Sequence, residues 1–330
     1  MRNAVIASVA AFAPQRKISN QYFNETLGED VDSWLRENVQ IYERRWCAPD
    51  ESTADLCEHA ARQALERAGI SGADIDLIVL STDTPEFISP STAAVLQYRL
   101  GATHAGTFDI NTACAGFVTA LDVGAKYIRA DERYRHVLVL GGYAMSKYLN
   151  PEDKKTVTLF GDGAGAVVLR AENDSGKRGF LASELRTKGE YHGWMGIYGG
   201  GTHKPLTAEG LARHEHQLQF VQRFPKTLNP ETWADMALAL CERIGVTPAD
   251  VKHYFITQIN INSIFETLDR LNVPRDRATT IMHHFGYTGS ACIPMAFNEA
   301  WEKGQVQAGD LCFFIGSGGG LAFASAAFRI

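Results

Sequence analysis

A chain of 330 residues with 45 % apolar residues, 21 % charged residues and 30 glycines is made like a globular protein rich in tight turns, long enough for two ordinary domains. Its formal net charge of −6 excludes nucleic acid as the main partner, because phosphate contacts need clustered Lys and Arg. No apolar run approaches the ~18 residues of a membrane span, the first residues carry no signal-peptide pattern, and six cysteines without CxxC spacing disfavour a disulfide framework and a zinc site, so a cytoplasmic protein without a metal is expected.

In chain order, Val5 to Phe12 reads as a buried strand ended by Pro14. Asn20 to Asn38 predicts a polar helical region carrying Trp34, and Ile41 to Trp46 a charged turn. Ser52 caps a helix whose apolar and small positions run from Ala54 to Ala68 and stop at Gly69. The continuous apolar run within Asp76–Thr82 predicts a strand covered on both faces, and Ser91 or Thr92 opens the next helix. Thr107 to Ile110 is then a strand end, followed by a tight polar turn, Cys114 and a helix with Phe117, Leu121, Ala125 and Ile128 on one face. His136 to Gly142 is another buried strand.

Cys114 at the start of that helix has two readings. The positive end of a helix dipole lowers a thiol's pKa and favours a nucleophile; a small buried hydrophobe is the other role of a free cysteine. The glycines of Gly161 to Gly165 precede a strand, whereas a dinucleotide fingerprint opens a helix, so they predict a close backbone crossing instead.

In the second half, Leu206 to Leu228 predicts a polar helix, Glu231 to Ile244 an amphipathic one, Tyr254 to Gln258 a strand and Ser263 to Leu271 a helix. Thr279 to His283 reads as a strand, Gly289 to Trp301 as a small-residue helix, and Leu311 to Ile315 and Leu321 to Ile330 as strands around Gly316–Gly320. The two halves repeat. Asp76–Thr82 matches Tyr254–Asn260, Thr107–Ile128 matches Thr279–Trp301, and Val137–Leu169 matches Leu311–Ile330, an offset of roughly 170 to 180 residues that marks an internal duplication. The boundary falls at 172/173, giving halves 1–172 and 173–330, with an active site expected where their turns meet.

The most specific segments are Glu43-Arg44-Arg45 with Ala48–Leu56, Thr84-Pro85 with Pro90–Ala93, Phe108–Phe117 around the cysteine, Leu159–Ala166, and Gly318-Gly319-Gly320. With these the chain resembles the thiolase superfamily, and within it the ketoacyl synthase III condensing enzymes, over nearly its whole length. The resemblance implies an α/β, thiolase-like, internally duplicated αβαβα layered fold and a homodimer. It also implies an acyltransferase that loads Cys114 from acyl-CoA or acyl carrier protein, with a phosphopantetheine thioester as substrate and no permanently bound cofactor. A malonyl thioester then decarboxylates and attacks the acyl-enzyme. The oxyanion hole implied is the backbone N–H of Cys114 and of Gly320.

Two family positions differ. Where the family has a His-Gln-Ala-Asn motif this chain has Thr257-Gln258-Ile259-Asn260, and its asparagine position is Tyr287. Threonine is a weak donor, whereas a tyrosine phenol can donate. Three readings follow: a condensing site rebuilt from Tyr287 and His283 or His284; acyl transfer to an alcohol, amine or carrier thiol without decarboxylation; and a non-catalytic partner of a heterodimer. On the pantetheine side the resemblance assigns Trp34 to the CoA adenine, places Lys154 and Asn262 where the family has arginines, and puts Asn260 with them. The altered site favours a specialised pathway, polyketide or antibiotic assembly, over housekeeping fatty-acid initiation.

Overall fold

A computed structural model describes residues 2–173 and 178–330. Its first sheet has five strands in the order Arg2–Phe12, Gly163–Asn173, His136–Tyr143, Leu77–Ser81 and Gly106–Ile110. Leu77–Ser81 is parallel to both neighbours, and Gly163–Asn173 antiparallel to both of its own. The second sheet has four strands, His253–Ile256, Leu311–Gly318, Ala322–Arg329 and Gly179–Thr187. Its first pair is parallel and the others antiparallel.

The helices Gly116–Ala130 and Cys292–Glu302 lie between the sheets, and Gly116–Ala130 touches strands of both. Thr53–Ala68 and Thr92–Arg99 pack on the first sheet and Leu228–Ile244 on the second, so helix, sheet, helix, sheet and helix alternate in the thiolase-type layering that the sequence implied. Small residues permit the closeness. A Cβ at position 116 would stand 1.8 Å from Ser81 Oγ, and one at 124 would press on Leu169, Val137 and Val139 at 3.1 Å. Gly161, Gly163 and Gly165 are the predicted backbone crossing. A Cβ there would meet Phe285 O at 2.1 Å, Met295 Sδ at 2.6 Å and Pro294 Cβ at 2.5 Å, all in the second half.

Four segments differ from expectation. The Asn20–Asn38 region is two helices, Asn20–Leu27 and Asp32–Asn38, because Gly28 closes the first in a left-handed conformation. The charged turn is instead a strand, Glu43–Trp46, paired with Arg16–Ser19. Its Arg44 is buried, bonding Ile18 O at 3.2 Å, Asn20 Oδ1 at 2.7 Å and Thr158 O, so a charged residue takes an inward strand position. Of Leu206–Leu228 only Ala208–Ala212 is helical before Leu228 itself opens the next helix, and Gln219–Phe220 pairs with Met195–Gly196. Thr279–His283 forms no strand. The Gln258 side chain takes up Thr279 O and Ile281 N–H at 2.7 and 2.8 Å, and a short helix, Met282–Phe285, follows.

Candidate active site

The duplication supplies two matching turns. In the first, Thr112 (φ −121°, ψ 33°) leads into Ala113 (φ +46°), and the 3₁₀ turn Ala113–Ala115 carries Cys114 into the Gly116–Ala130 helix. In the second, Thr288 (φ −103°, ψ 30°) leads into Gly289 (φ +47°), and the turn Gly289–Ala291 carries Ser290 into the Cys292–Glu302 helix. Ser290 is thus the positional image of Cys114, and its hydroxyl is spent on Gly142 O at 2.7 Å. Alanine tolerates the left-handed region poorly, at about 1 kcal/mol or more, and Ala113 holds it where Asn111 Oδ1 accepts its N–H at 3.1 Å. Strain at a nucleophile's turn is a mark of a functional site.

Cys114 is 3 % exposed. It lines a cavity of about 80 Å³ with Tyr287, Thr257, Ser317, Gly318 and Gly319, and with the apolar walls Met195, Phe220, Phe224, Ile259 and Leu321. Three predicted residues, Cys114, Thr257 and Tyr287, therefore converge. Thr257 Oγ1 accepts from Ser317 N–H at 3.0 Å and donates to Ser317 O at 3.4 Å. Thr257 therefore lines the cavity and holds the glycine turn. The Tyr287 backbone is fixed by its N–H to Leu159 O at 2.8 Å and by Gly161 N–H to its carbonyl at 3.0 Å, and its ring packs on Phe160 at 5.4 Å.

Burial pushes the Cys114 thiol well above its ordinary range, and the Asp83 carboxylate adds to the rise; a hydrogen bond with the Tyr287 phenol opposes both. The lowering expected from a helix N-terminus is therefore overridden. The cysteine sits in the turn before the helix, in an apolar wall, and desolvation dominates. Burial likewise pushes the Tyr287 phenol well up, with Cys114, Cys292 and Tyr143 adding to it, so Tyr287 stays protonated and has an O–H to donate. Asp83 lies in a bend two residues beyond the end of the Leu77–Ser81 strand. Burial raises its carboxyl to about 6, and its Oδ1 is buried without a hydrogen-bond partner.

Other predicted site residues lie elsewhere. Gly320 does not line the cavity, and a Cβ there would meet only Ala322 N, at 3.7 Å. Glycine is needed at 320 for its φ of +134°. Gly318 is the glycine pressed on the nucleophile, where a Cβ would stand 2.5 Å from Cys114 N and from Thr112 O. His283 stacks on Tyr42 at 6.1 Å and pairs its Nε2 with Thr280 Oγ1 at 3.1 Å, while His284 is exposed. Neither lines the cavity, because the Met282–Phe285 helix turns them outward.

A second pocket, of about 470 Å³, joins Trp34, Leu35, Glu29, Lys154, Lys155 and Arg223. Leu159, which also lines it, accepts the Tyr287 N–H, and Arg223 lies between Phe220 and Phe224 of the inner cavity in sequence, so neighbouring residues line the two pockets. Trp34 is 55 % exposed, and Lys154 is paired with Glu29 at 2.8 Å. Asn260 and Asn262 are not part of this pocket. Asn260 caps the Ile261–Arg270 helix by accepting Asn262 N–H at 3.0 Å, and Asn262 Nδ2 donates to Asn38 O at 2.7 Å. Sequence reasoning missed Asp83, Arg223 and the aromatic wall of Phe220 and Phe224. Asp83 had a signal, a carboxylate directly after a buried parallel strand, where α/β sheets place their ligands; the others arrive from a segment without periodicity.

Among the described residues no group of His, Cys, Asp and Glu could hold a metal ion, and no helix is long and apolar enough to cross a membrane. Residues 108–189 match the family model described as 3-oxoacyl-[acyl-carrier-protein (ACP)] synthase III, and residues 241–330 that of its C-terminal part. The chain is 37 % identical to a beta-ketoacyl-[acyl-carrier-protein] synthase III of Rhodobacter capsulatus, over 99 % of this chain and 98 % of that protein. The crystal structure of the 3-oxoacyl-[acyl-carrier-protein] synthase III of Aquifex aeolicus VF5 superposes with a TM-score of 0.87 at 29 % identity, covering 99 % of this chain and all of that one. That of the priming beta-ketosynthase from the R1128 polyketide biosynthetic pathway gives 0.86 at 27 % identity, covering 98 % and 95 %.

Proposed function

Since the chain belongs to the beta-ketoacyl-ACP synthase III family of acyltransferases, we propose that it takes an acyl group from a carrier thioester onto Cys114 and joins it to a malonyl thioester. The observation that carries this reading is the convergence, in one cavity, of a strained-turn cysteine, a protonated phenol and Gly318, packed on the cysteine's own backbone nitrogen. Backbone N–H groups at that turn stabilise a developing oxyanion, and Tyr287 supplies the side-chain donor. The cavity of about 80 Å³ with its apolar walls suits a short acyl group. The Trp34, Lys154, Lys155 and Arg223 pocket suits the nucleotide end of CoA or the phosphopantetheine arm of a carrier protein. The Lys154–Glu29 pair weakens the grip on a free nucleotide and favours the carrier protein.

One observation favours transfer without decarboxylation to an alcohol, amine or thiol. With Thr257 spent on Ser317 and both histidines turned away, Tyr287 is the one predicted side chain left to steady an enolate. Either route suits a starter-unit step in a specialised pathway. Intact-mass detection of acyl-Cys114 after incubation with acetyl- to butyryl-thioesters tests the shared half-reaction; no adduct with either carrier would overturn both. Release of CO₂ from malonyl carrier protein then separates condensation from simple transfer.

A homodimer through the Gly106–Ile110 edge strand is the assembly we propose. That strand ends the first sheet, and the loop and helix that precede it expose Phe87, Ile88 and Tyr98 at 52 %, 91 % and 85 %, large apolar side chains of the kind an interface covers. Ile88→Glu should yield monomers in light scattering; an unchanged mass would place the interface elsewhere.

A further inference from the structure

Condensation puts negative charge on the oxygen of a thioester carbonyl, and that oxygen needs hydrogen-bond donors around it. The polar side chains on the Cys114 cavity belong to Cys114 itself, Asn229, Thr257, Tyr287 and Ser317. Thr257 is bonded to Ser317. Ser317 lies between Gly316 and Gly318, where a Cβ would meet the Cys114 turn, so its own side chain leaves the strand on the other face. Asn229 is half-buried, and among the described residues its carboxamide has no hydrogen-bond partner. Its placement follows from its helix. Leu228–Ile244 packs on the second sheet, with Trp233, Met236 and Leu240 buried along one face. Asn229 stands on that face one turn before Trp233, where the face reaches the cavity. Pro230 fixes the next φ, and Leu228 N–H donates to Pro225 O at 3.1 Å and Glu231 N–H to Thr227 O at 3.0 Å, so the residue is carried on a tied backbone.

We propose that Asn229 is a catalytic residue of condensation, its carboxamide N–H donating to the thioester carbonyl of the malonyl substrate beside the Tyr287 O–H. The bond between the malonyl Cα and its carboxylate breaks, and CO₂ leaves. The electron pair left behind spreads onto the thioester oxygen as an enolate, which the two donors hold. The enolate carbon then attacks the acyl carbonyl on Cys114. A C–C bond forms, the C–S bond to Cys114 breaks, and the released thiolate takes one proton from water. Asn229 donates without ionising and transfers no proton. A carboxamide from the Leu228–Ile244 helix thus joins the phenol where Thr257 holds Ser317 and neither histidine lines the cavity. The assignment rests on the condensing reading above and sharpens it, because simple transfer has no enolate to hold.

Release of CO₂ from malonyl carrier protein, measured beside intact-mass acylation of Cys114, tests the assignment. Asn229→Asp removes the N–H donors at constant size, and a carboxylate in a first helical turn favours folding. It should lower kcat for CO₂ release by about 10²-fold. The KM for malonyl carrier protein should stay within about threefold of wild type, and acylation should fall by less than about tenfold. Asn229→Ala should lose a similar factor, and Asn229→Gln should regain part of it. Unchanged CO₂ release in Asn229→Asp, an equal loss in both half-reactions, or a loss confined to KM would overturn the proposal; the last would make Asn229 a contact for the carrier arm. Cys114→Ala takes no acyl group, and malonyl decarboxylation by that protein, its enolate protonated by water, reads the donors alone. Should the wild type take no acyl group while this decarboxylation depends on Asn229, the acyl-transfer reading falls and the assignment stands. No CO₂ from either protein overturns the assignment, and acylated Cys114 in that case leaves simple transfer. Matching thermal melts confirm that the variants are folded.

Discussion

Removing the Asp83 charge should stabilise the protein, and the gain should depend on pH in a defined direction. Burial raises the carboxyl from the ordinary 3.8 to about 6, so the folded state binds its proton more tightly than the unfolded chain does. For such an acid the folded state is not penalised below about pH 4. It loses stability as pH rises between 3.8 and about 6, and carries the whole penalty above that. At about 1.4 kcal/mol per pH unit, the ionised form costs about 3 kcal/mol, an upper figure because Asp83 keeps some solvent contact. Asp83→Asn is nearly isosteric and neutral, so its melting temperature should match the wild type near pH 4 and exceed it above pH 6. At roughly 2 °C per kcal/mol for a chain of this size, the gap should reach a few degrees. The depressed carboxyls elsewhere, such as Asp55 held down by Ser52 and Arg99, pull stability the other way with pH; both proteins share them, and they cancel in the difference. Scanning fluorimetry of the two proteins from pH 4 to 8 is sufficient. A constant gap, or a variant less stable at pH 7 than at pH 4 relative to wild type, would refute a buried ionised carboxylate at this position.

Three further outcomes follow from the cavity. Gly318→Ala should abolish Cys114 acylation, because its Cβ would stand 2.5 Å from Cys114 N, whereas Gly320→Ala should keep acylation and lose about 1–2 kcal/mol to its left-handed φ; equal losses of activity would return the oxyanion role to Gly320. Thr257→Val removes both hydrogen bonds to Ser317, costing about 1–2 kcal/mol and slowing acylation through the displaced turn, but its pH–rate profile should keep the wild-type shape, and a changed acid limb would put Thr257 in the proton path. Tyr287→Phe keeps the buried ring and loses the bond that lowers the Cys114 pKa, so acylation at pH 7 should fall about tenfold with a melt within about 1 kcal/mol of wild type; an unchanged rate would reduce Tyr287 to packing.

Periodicity and repetition were enough to read the layers, because a helix between two sheets must be small and apolar over most of its surface, and both central helices are so up to their last turns, where Lys126, Arg129, Glu299 and Glu302 stand. The duplicated turns show how far such reading reaches: Thr112-Ala113-Cys114 and Thr288-Gly289-Ser290 share backbone angles within about 20° although only the threonines are identical. What stayed hidden depends on how hydrogen bonds are distributed across the fold. Threonine at 257 reads alike whether its hydroxyl faces a substrate or Ser317, and His283 and His284 read as site residues until a four-residue helix turns them away. The glycine triplet shows the same limit, since only the packing of the turn separates Gly318, which touches the nucleophile, from Gly320, which serves its own φ. Asp83 was missed for a related reason: one carboxylate after an apolar run has no motif, and only the fold shows its Oδ1 buried without a hydrogen-bond partner. The replacement of the family's histidine thus reaches further than its own position. A histidine at 257 would be a base beside the sulfur, whereas a threonine bonded to Ser317 serves the turn that faces the sulfur.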